Sequence, residues 1–353
     1  MAYTTIDDPS EYFTTVLSTS TGSALTINTG FKPDWLWTKA RNFARSHELH
    51  DTTRGDNKRL KSDATTAEES YSNYLAFTST GATFGTNHNL GYHTEGATTG
   101  VSWAWKANGG TTTTNDASST GVGDQDSVYQ ANTTAGFSIV TYTGTGSDNE
   151  DYAHGLGASP ELMIIKARSA STGWSLNHIS KGMTSGYIQL NADGAFTSAS
   201  NNIKAVSSTT FRTGVDSWVN GSGVNFVGYF FKSIQGYSKF GSYTGNGNAD
   251  GPFVYTGFKP AWIMLKRTDS ANNWHINDSV RDIDNPVIEY LYADTTAGDD
   301  NLSGGGGLDF LSNGFKIRST TAAVVNADGG TYIYWAFAEH PFVSSKGVPV
   351  TAR

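Results

Sequence analysis

Gly30-Phe31-Lys32-Pro33-Asp34-Trp35-Leu36-Trp37-Thr38-Lys39 decides the fold, because the chain carries it again. It returns as Gly257-Phe258-Lys259-Pro260-Ala261-Trp262-Ile263-Met264-Leu265-Lys266. A looser copy is Gly157-Ala158-Ser159-Pro160-Glu161-Leu162-Met163-Ile164-Ile165-Lys166, and Gly, Pro and Lys hold in all three. Counting forward from each Pro without gaps, the fourteenth residue is His47, Trp174 or Trp274, and the eighteenth is Asp51, His178 or Asp278. The twenty-first is Arg54, Lys181 or Arg281. Register kept over that distance marks internal repetition, which takes precedence over any residue-level reading.

Each copy closes on an aromatic stretch, Trp103-Ala104-Trp105-Lys106, Tyr229-Phe230-Phe231-Lys232 or Trp335-Ala336-Phe337-Ala338. The segment after each Pro is apolar on successive residues and too short for a helix, which predicts a strand buried on both faces. Asn220-Gly221-Ser222-Gly223 and Asn326-Ala327-Asp328-Gly329 predict hairpin turns feeding the last strand. Thr65 to Tyr71 predicts a short capped helix. The expected fold is all-β, with three tandem β-sandwich modules of jelly-roll or lectin-like type: module 1 over 1–106, module 2 over 135–233 and module 3 over 236–353. Residues 107–134, rich in Gly, Thr, Ser and Asp, read as a polar linker that would let the first module be displaced or swapped.

Composition narrows the function. Of 353 residues only 16% are charged, and 40 Gly accompany long Thr, Ser and Asn stretches, a balance that suits turn-rich β structure. The net charge of −8 argues against a phosphate-binding surface and hence against nucleic acid. With no Cys there is no disulfide, thiolate nucleophile or Cys-ligated zinc. No apolar run approaches the length of a membrane span, and the start lacks the features of a signal peptide, so neither membrane insertion nor export by a signal peptide is expected.

The 9 Trp, 17 Tyr and 18 Phe invite a sugar-binding reading, but most Trp positions are filled by bulky apolar groups in every copy, as Trp37 is by Met264 and Ile164. Such positions read as core. Trp218 alone stands outside the pattern and is the one contact candidate. Asp51 with Arg54, and Asp278 with Arg281, read as local structural ion pairs at a turn or strand end, worth under about 1 kcal/mol if exposed. His47-Glu48-Leu49-His50 lacks the i, i+4 helical spacing of a zinc protease, and His88, His93, His154, His275 and His340 are scattered. Gly144-Thr145-Gly146 and Gly245-Asn246-Gly247 read as turns rather than phosphate loops. Asp148, Glu150 and Asp151, Asn248 and Asp250, and Asp299, Asp300 and Asn301 form oxygen-rich loops in which a calcium ion is conceivable, although the spacing is not that of an EF-hand. No catalytic residue and no metal site is assigned, and no enzyme activity is expected.

The repeated Gly-Phe-Lys-Pro-x-Trp block, the Tyr142-Thr143-Gly144-Thr145-Gly146 and Tyr243-Thr244-Gly245-Asn246-Gly247 turns, the stretch Ser46 to Gly55, and the end Tyr332 to Phe342 together resemble a family of tailed-bacteriophage virion proteins common in phages of marine bacteria. That resemblance covers nearly the whole chain and implies a tail-fibre-like or structural component, made in the host bacterial cytoplasm and carried on the tail or capsid surface of the virion. Other virion proteins, a homo-oligomer (a trimer, as in phage fibres) and a host surface glycan or receptor are the partners it implies. Two other readings are a capsid or tail decoration protein without host binding and a tail-borne glycan-degrading enzyme. The first copy departs from the pattern at Leu17-Ser18-Thr19, where the others have Tyr-Thr-Gly.

Overall fold

The glycine that heads each repeated block turns the chain left-handed, with φ of +80° at Gly30, +72° at Gly157 and +85° at Gly257. A side chain resists that conformation, which accounts for glycine in all three copies. The proline that follows fixes an extended entry, and each block then runs into a strand whose residues are almost all buried. The computed structural model describes residues 4–85, 97–302, 306–320 and 323–340.

The first repeat carries β1 (Phe13–Thr19), β2 (Leu25–Asn28), β3 (Trp35–Ala40), β4 (Glu48–Asp51), β5 (Lys58–Arg59), β6 (Glu69–Ser70), β7 (Leu75–Thr78), β8 (Gly81–Phe84) and β9 (Thr99–Trp105). Next come β10 (Thr113–Asn115), the short helix α1 (Ala117–Thr120) and β11 (Ser127–Asn132). The second repeat has β12 (Phe137–Thr143), β13 (Glu150–Ala153), β14 (Leu162–Ala167), β15 (Ser175–His178), β16 (Gly186–Gln189), β17 (Thr197–Ser198), β18 (Ile203–Val206), β19 (Thr210–Thr213), α2 (Ser217–Asn220) and β20 (Asn225–Phe231). The third has β21 (Ser238–Thr244), β22 (Phe253–Tyr255), β23 (Trp262–Arg267), β24 (His275–Asp278), β25 (Glu289–Tyr292), β26 (Asp300–Asn301), β27 (Leu308–Leu311), β28 (Gly314–Ile317), α3 (Ala323–Asn326) and β29 (Thr331–Phe337).

Pairing is antiparallel throughout these strands, and one strand order recurs. The larger sheets run β1-β9-β3-β4, β12-β20-β14-β15-β16-β17 and β21-β29-β23-β24-β25-β26, and the three-stranded sheets run β2-β8-β7, β13-β19-β18 and β22-β28-β27. Successive residues of the central strands face opposite sides. Leu36, Met163, Ile165, Ile263 and Leu265 therefore fill three separate outer cores, each shared between a large sheet and its own small sheet.

The opposite faces of the three large sheets meet in one common core. Trp35, Trp37, Trp103 and Trp105 of the first repeat, Leu162, Ile164, Tyr229 and Phe231 of the second, and Trp262, Met264, Trp335 and Phe337 of the third all lie in it. Trp35 stacks on Tyr229 with ring centroids 4.5 Å apart, while Trp105 meets Trp262 edge-on at 5.6 Å. Eight of the Trp residues, all but Trp218, are less than 2% exposed. The first repeat is thus locked against the other two rather than displaced or swapped.

Other local expectations also require correction. Residues 107–134 are not a linker: β10 and β11 extend the second large sheet, with Ser127 to Asn132 paired to Phe137 to Tyr142. Their polar composition suits an edge hairpin that needs little core of its own. The turns at Asn220 and Asn326 are not hairpins, because β19 and β20 belong to different sheets and α2 carries the chain between them. Thr65 to Tyr71 contains no helix. Glu68 bonds Arg54 and Arg168 and Glu69 bonds Arg59, and these contacts hold the segment extended.

Candidate functional site

The polar residues that repeat with the aromatic frame are the first place to seek a site, and the structure spends them on joining the repeats. Lys39, Lys166 and Lys266 are buried. Lys166 donates to the Thr65 carbonyl of the first repeat at 3.1 Å, Lys266 to Asp193 of the second at 2.7 Å, and Lys39 to Thr296 of the third at 3.0 Å. Burial lowers each of these ammonium groups to about 8.

The fourteenth position makes a second ring in the same direction. The indole N–H of Trp174 donates to the Lys61 carbonyl and that of Trp274 to the Gln189 carbonyl, both at 2.8 Å. His47 completes it. Its Nδ1 accepts the Trp37 indole N–H at 2.8 Å, so its Nε2 carries the proton and donates to the Tyr292 carbonyl at 2.9 Å.

At the eighteenth position Asp51 accepts the Tyr229 hydroxyl at 2.7 Å, and Asp278 accepts the Trp103 indole N–H at 3.1 Å. His178 accepts the Ser180 amide on Nδ1 and gives Nε2–H to the Tyr334 carbonyl at 3.1 Å. Burial holds His178 down at about 4 and keeps it neutral. Asp51 and Asp278 form the expected local ion pairs with Arg54 and Arg281, and both pairs are buried, so the small value for an exposed pair does not apply. Arg54 also reaches Glu68 and Arg281 reaches Asp299. Breaking such a pair leaves a charge without compensation, a cost of about 3–5 kcal/mol.

The remaining candidates disperse. His47 and Leu49 face the common core while Glu48 binds Arg59 and Tyr74 on the other side, so the His-Glu-Leu-His run presents no shared ligand set. Asp148 pairs with Lys204, Asp151 with Arg212, Asp250 with Lys316 and Asp299 with Arg41 and Arg281, and Glu150 accepts from Gln125. No cluster of three or more metal-ligating side chains occurs among the described residues. His88 and His93 lie outside those residues.

The turn glycines have a structural use. Asn220 accepts the Thr145 amide at 2.8 Å and Asn326 the Asn246 amide at 2.9 Å. Tyr142 and Tyr243 anchor α2 and α3 through the Val219 and Val325 carbonyls at 2.6 and 2.7 Å. A Cβ on Gly144 or Gly245 would strike a backbone oxygen at 2.5 or 2.3 Å.

Two outward features lie on or beside the second repeat. Trp218 is half-buried on α2, lies over Gly173 and meets Tyr187 with centroids 5.3 Å apart. The added strands β10 and β11 wall an open groove of about 670 Å³ lined by Asp116, Asp124, Asp126, Thr141, Arg168 and Asn225. Sequence reading missed this groove because its walls lay in the supposed linker. It is polar, wide and rich in acceptors, which fits a hydroxylated ligand better than an apolar one.

Residues 8–341 match, as one unit, the family described as a domain of unknown function, DUF7483. The chain belongs to that family. No curated protein and no solved structure matches the chain. The match to DUF7483 runs across all three repeats and the hairpin between the first two, in keeping with the closed hydrogen-bond rings that join them.

Proposed function

We propose that the protein is a non-catalytic component of a tailed-bacteriophage particle, tail-fibre-like in character, that contributes to host attachment. In this reading each large sheet and its three-stranded partner form one jelly-roll or lectin-like sandwich module. The observation that carries the proposal is the division of labour among side chains. The repeated Lys, His and Asp residues are consumed in joining repeats, with the Arg residues holding the Asp carboxylates in place, whereas the outward faces differ from copy to copy. A rigid body with variable outer faces suits display rather than turnover. The sequence resemblance to virion proteins supports the same reading, with virion proteins, a host glycan or receptor, and further copies of the chain as partners.

Gold-labelled antibody against the chain, applied to intact particles, tests this. Label at the distal tail is the expected result. Label confined to the shell favours the decoration reading, and absence of the chain from purified particles overturns both. Incubation with host capsule or lipopolysaccharide is expected to release no new reducing ends.

A further inference from the structure

The fold accounts in part for Phe253, whose ring lies over Gly314 of β28, and not for Tyr255. They are 46% and 61% exposed on β22, on the face away from Val254, which is buried. Register aligns Val254 with Tyr152 and Ile27, since each pairs with the second residue of the equivalent strand of its small sheet, Phe315, Phe211 or Ala82. The other copies therefore carry Asp151 and Ala153, or Thr26 and Asn28, where the third carries two exposed rings. Two neighbouring exposed rings on one copy alone form the kind of apolar surface that marks a contact site.

Tyr255 also lines a groove of about 270 Å³, together with Ser233, Gln235, Lys239 and Thr256. Ser233 is committed to Glu161 and to the Phe240 amide. Neither the Gln235 amide nor the Lys239 ammonium has a side-chain partner among the described residues, so both are available to a ligand.

We propose that this groove binds a carboxylated hexopyranose unit of a surface polysaccharide. The Tyr255 ring supplies a flat face for the apolar side of the sugar, as aromatic rings do where one side of a ligand is apolar and its edge is wet. The Gln235 amide donates to and accepts from ring hydroxyls, and Lys239 takes the carboxylate. Phe253, two residues earlier on the same face of β22, lies beside the groove and offers a second exposed ring along the strand. The chain's net charge of −8 opposes a polyanion at long range, so single contacts are weak and copy number carries the avidity. This deepens the attachment reading and rests on it for its biological sense, although the binding itself can be tested alone.

The full-length protein is titrated with trigalacturonate and with maltotriose by calorimetry and ligand-observed NMR. Wild type is expected to bind trigalacturonate in the millimolar range. Tyr255→Ala is expected to weaken it about tenfold with an unchanged melting midpoint, the loss of one stacked ring. Lys239→Gln weakens trigalacturonate and leaves maltotriose unchanged. Failure of wild type to bind either sugar, or undiminished binding by Tyr255→Ala, overturns the proposal. If Tyr255→Ala loses the sugar but still adheres to host cells like wild type, the saccharide site stands and its role in attachment falls.

Discussion

Tyr229 gives its hydroxyl to the Asp51 carboxylate across the boundary between the second and first repeats, at 2.7 Å and out of contact with water. Asp51 also holds Arg54, so one oxygen pair joins a neighbour's aromatic strand to the local turn. Tyr229→Phe keeps the ring that stacks on Trp35 and removes only the donor. It should cost about 1.5–3 kcal/mol in urea unfolding, the range for a hydrogen bond to a charged group, and Asp51→Asn in the same background should add less than it does alone.

Acid should loosen the molecule. Burial holds His154 and His178 at about 4, His275 at about 3 and His47 well below its ordinary value. An unfolded imidazole takes up a proton near pH 6.5, so between about pH 6.5 and 4 the unfolded chain binds protons that the folded chain refuses. Stability is full above that window and falls as pH drops through it. Melting midpoints measured across the window should decline, and His178→Gln should decline less steeply.

Alkali acts in the opposite direction. Lys39, Lys166 and Lys266 are lowered by burial to about 8, below the unfolded value near 10.4. Below pH 8 both states are charged and the folded state bears the desolvation cost; above it the folded lysines become neutral and the unfolded ones do not. The midpoint should rise from about pH 8 to 9.5, and Lys166→Met should reduce that rise. A flat profile would mean that the three ammonium groups are hydrated.

Cutting the chain between the first and second repeats should not release a domain. The break would fall beside β10 and β11, which are part of the second large sheet, and Trp35 and Trp105 would still sit against Tyr229 and Trp262. After trypsin cleavage near Lys106 the fragments should co-elute on gel filtration in native buffer. Separate elution of a folded first repeat would contradict the shared core.

Much of this was legible in the sequence, for a definite reason. Ungapped spacing from Pro to the fourteenth and eighteenth residues exposed the repetition, and bulky residues interchanging at Trp37, Ile164 and Met264 marked core. What spacing could not reveal was partnership. Each Lys reads as a charged residue ending a strand, and only the closed arrangement shows its target in the next repeat. Asp63, Asn191 and Asp294, which accept the amides of His47, Trp174 and Trp274, escaped notice because loops of unequal length separate them from the aligned block. The segment 107–134 was misread because a short edge hairpin and a linker share a composition. Tyr255 was visible as a letter, but its exposure depends on which face of β22 the core takes.

Trp35→Ala, followed by hydrogen exchange and mass spectrometry, tests the shared core most directly. Removing this ring should cost about 3–5 kcal/mol. If the three repeats close around one core, exchange should accelerate together in peptides covering residues 35–40, 162–167 and 262–267. Acceleration confined to the first repeat, with the other two protected as in wild type, would contradict it.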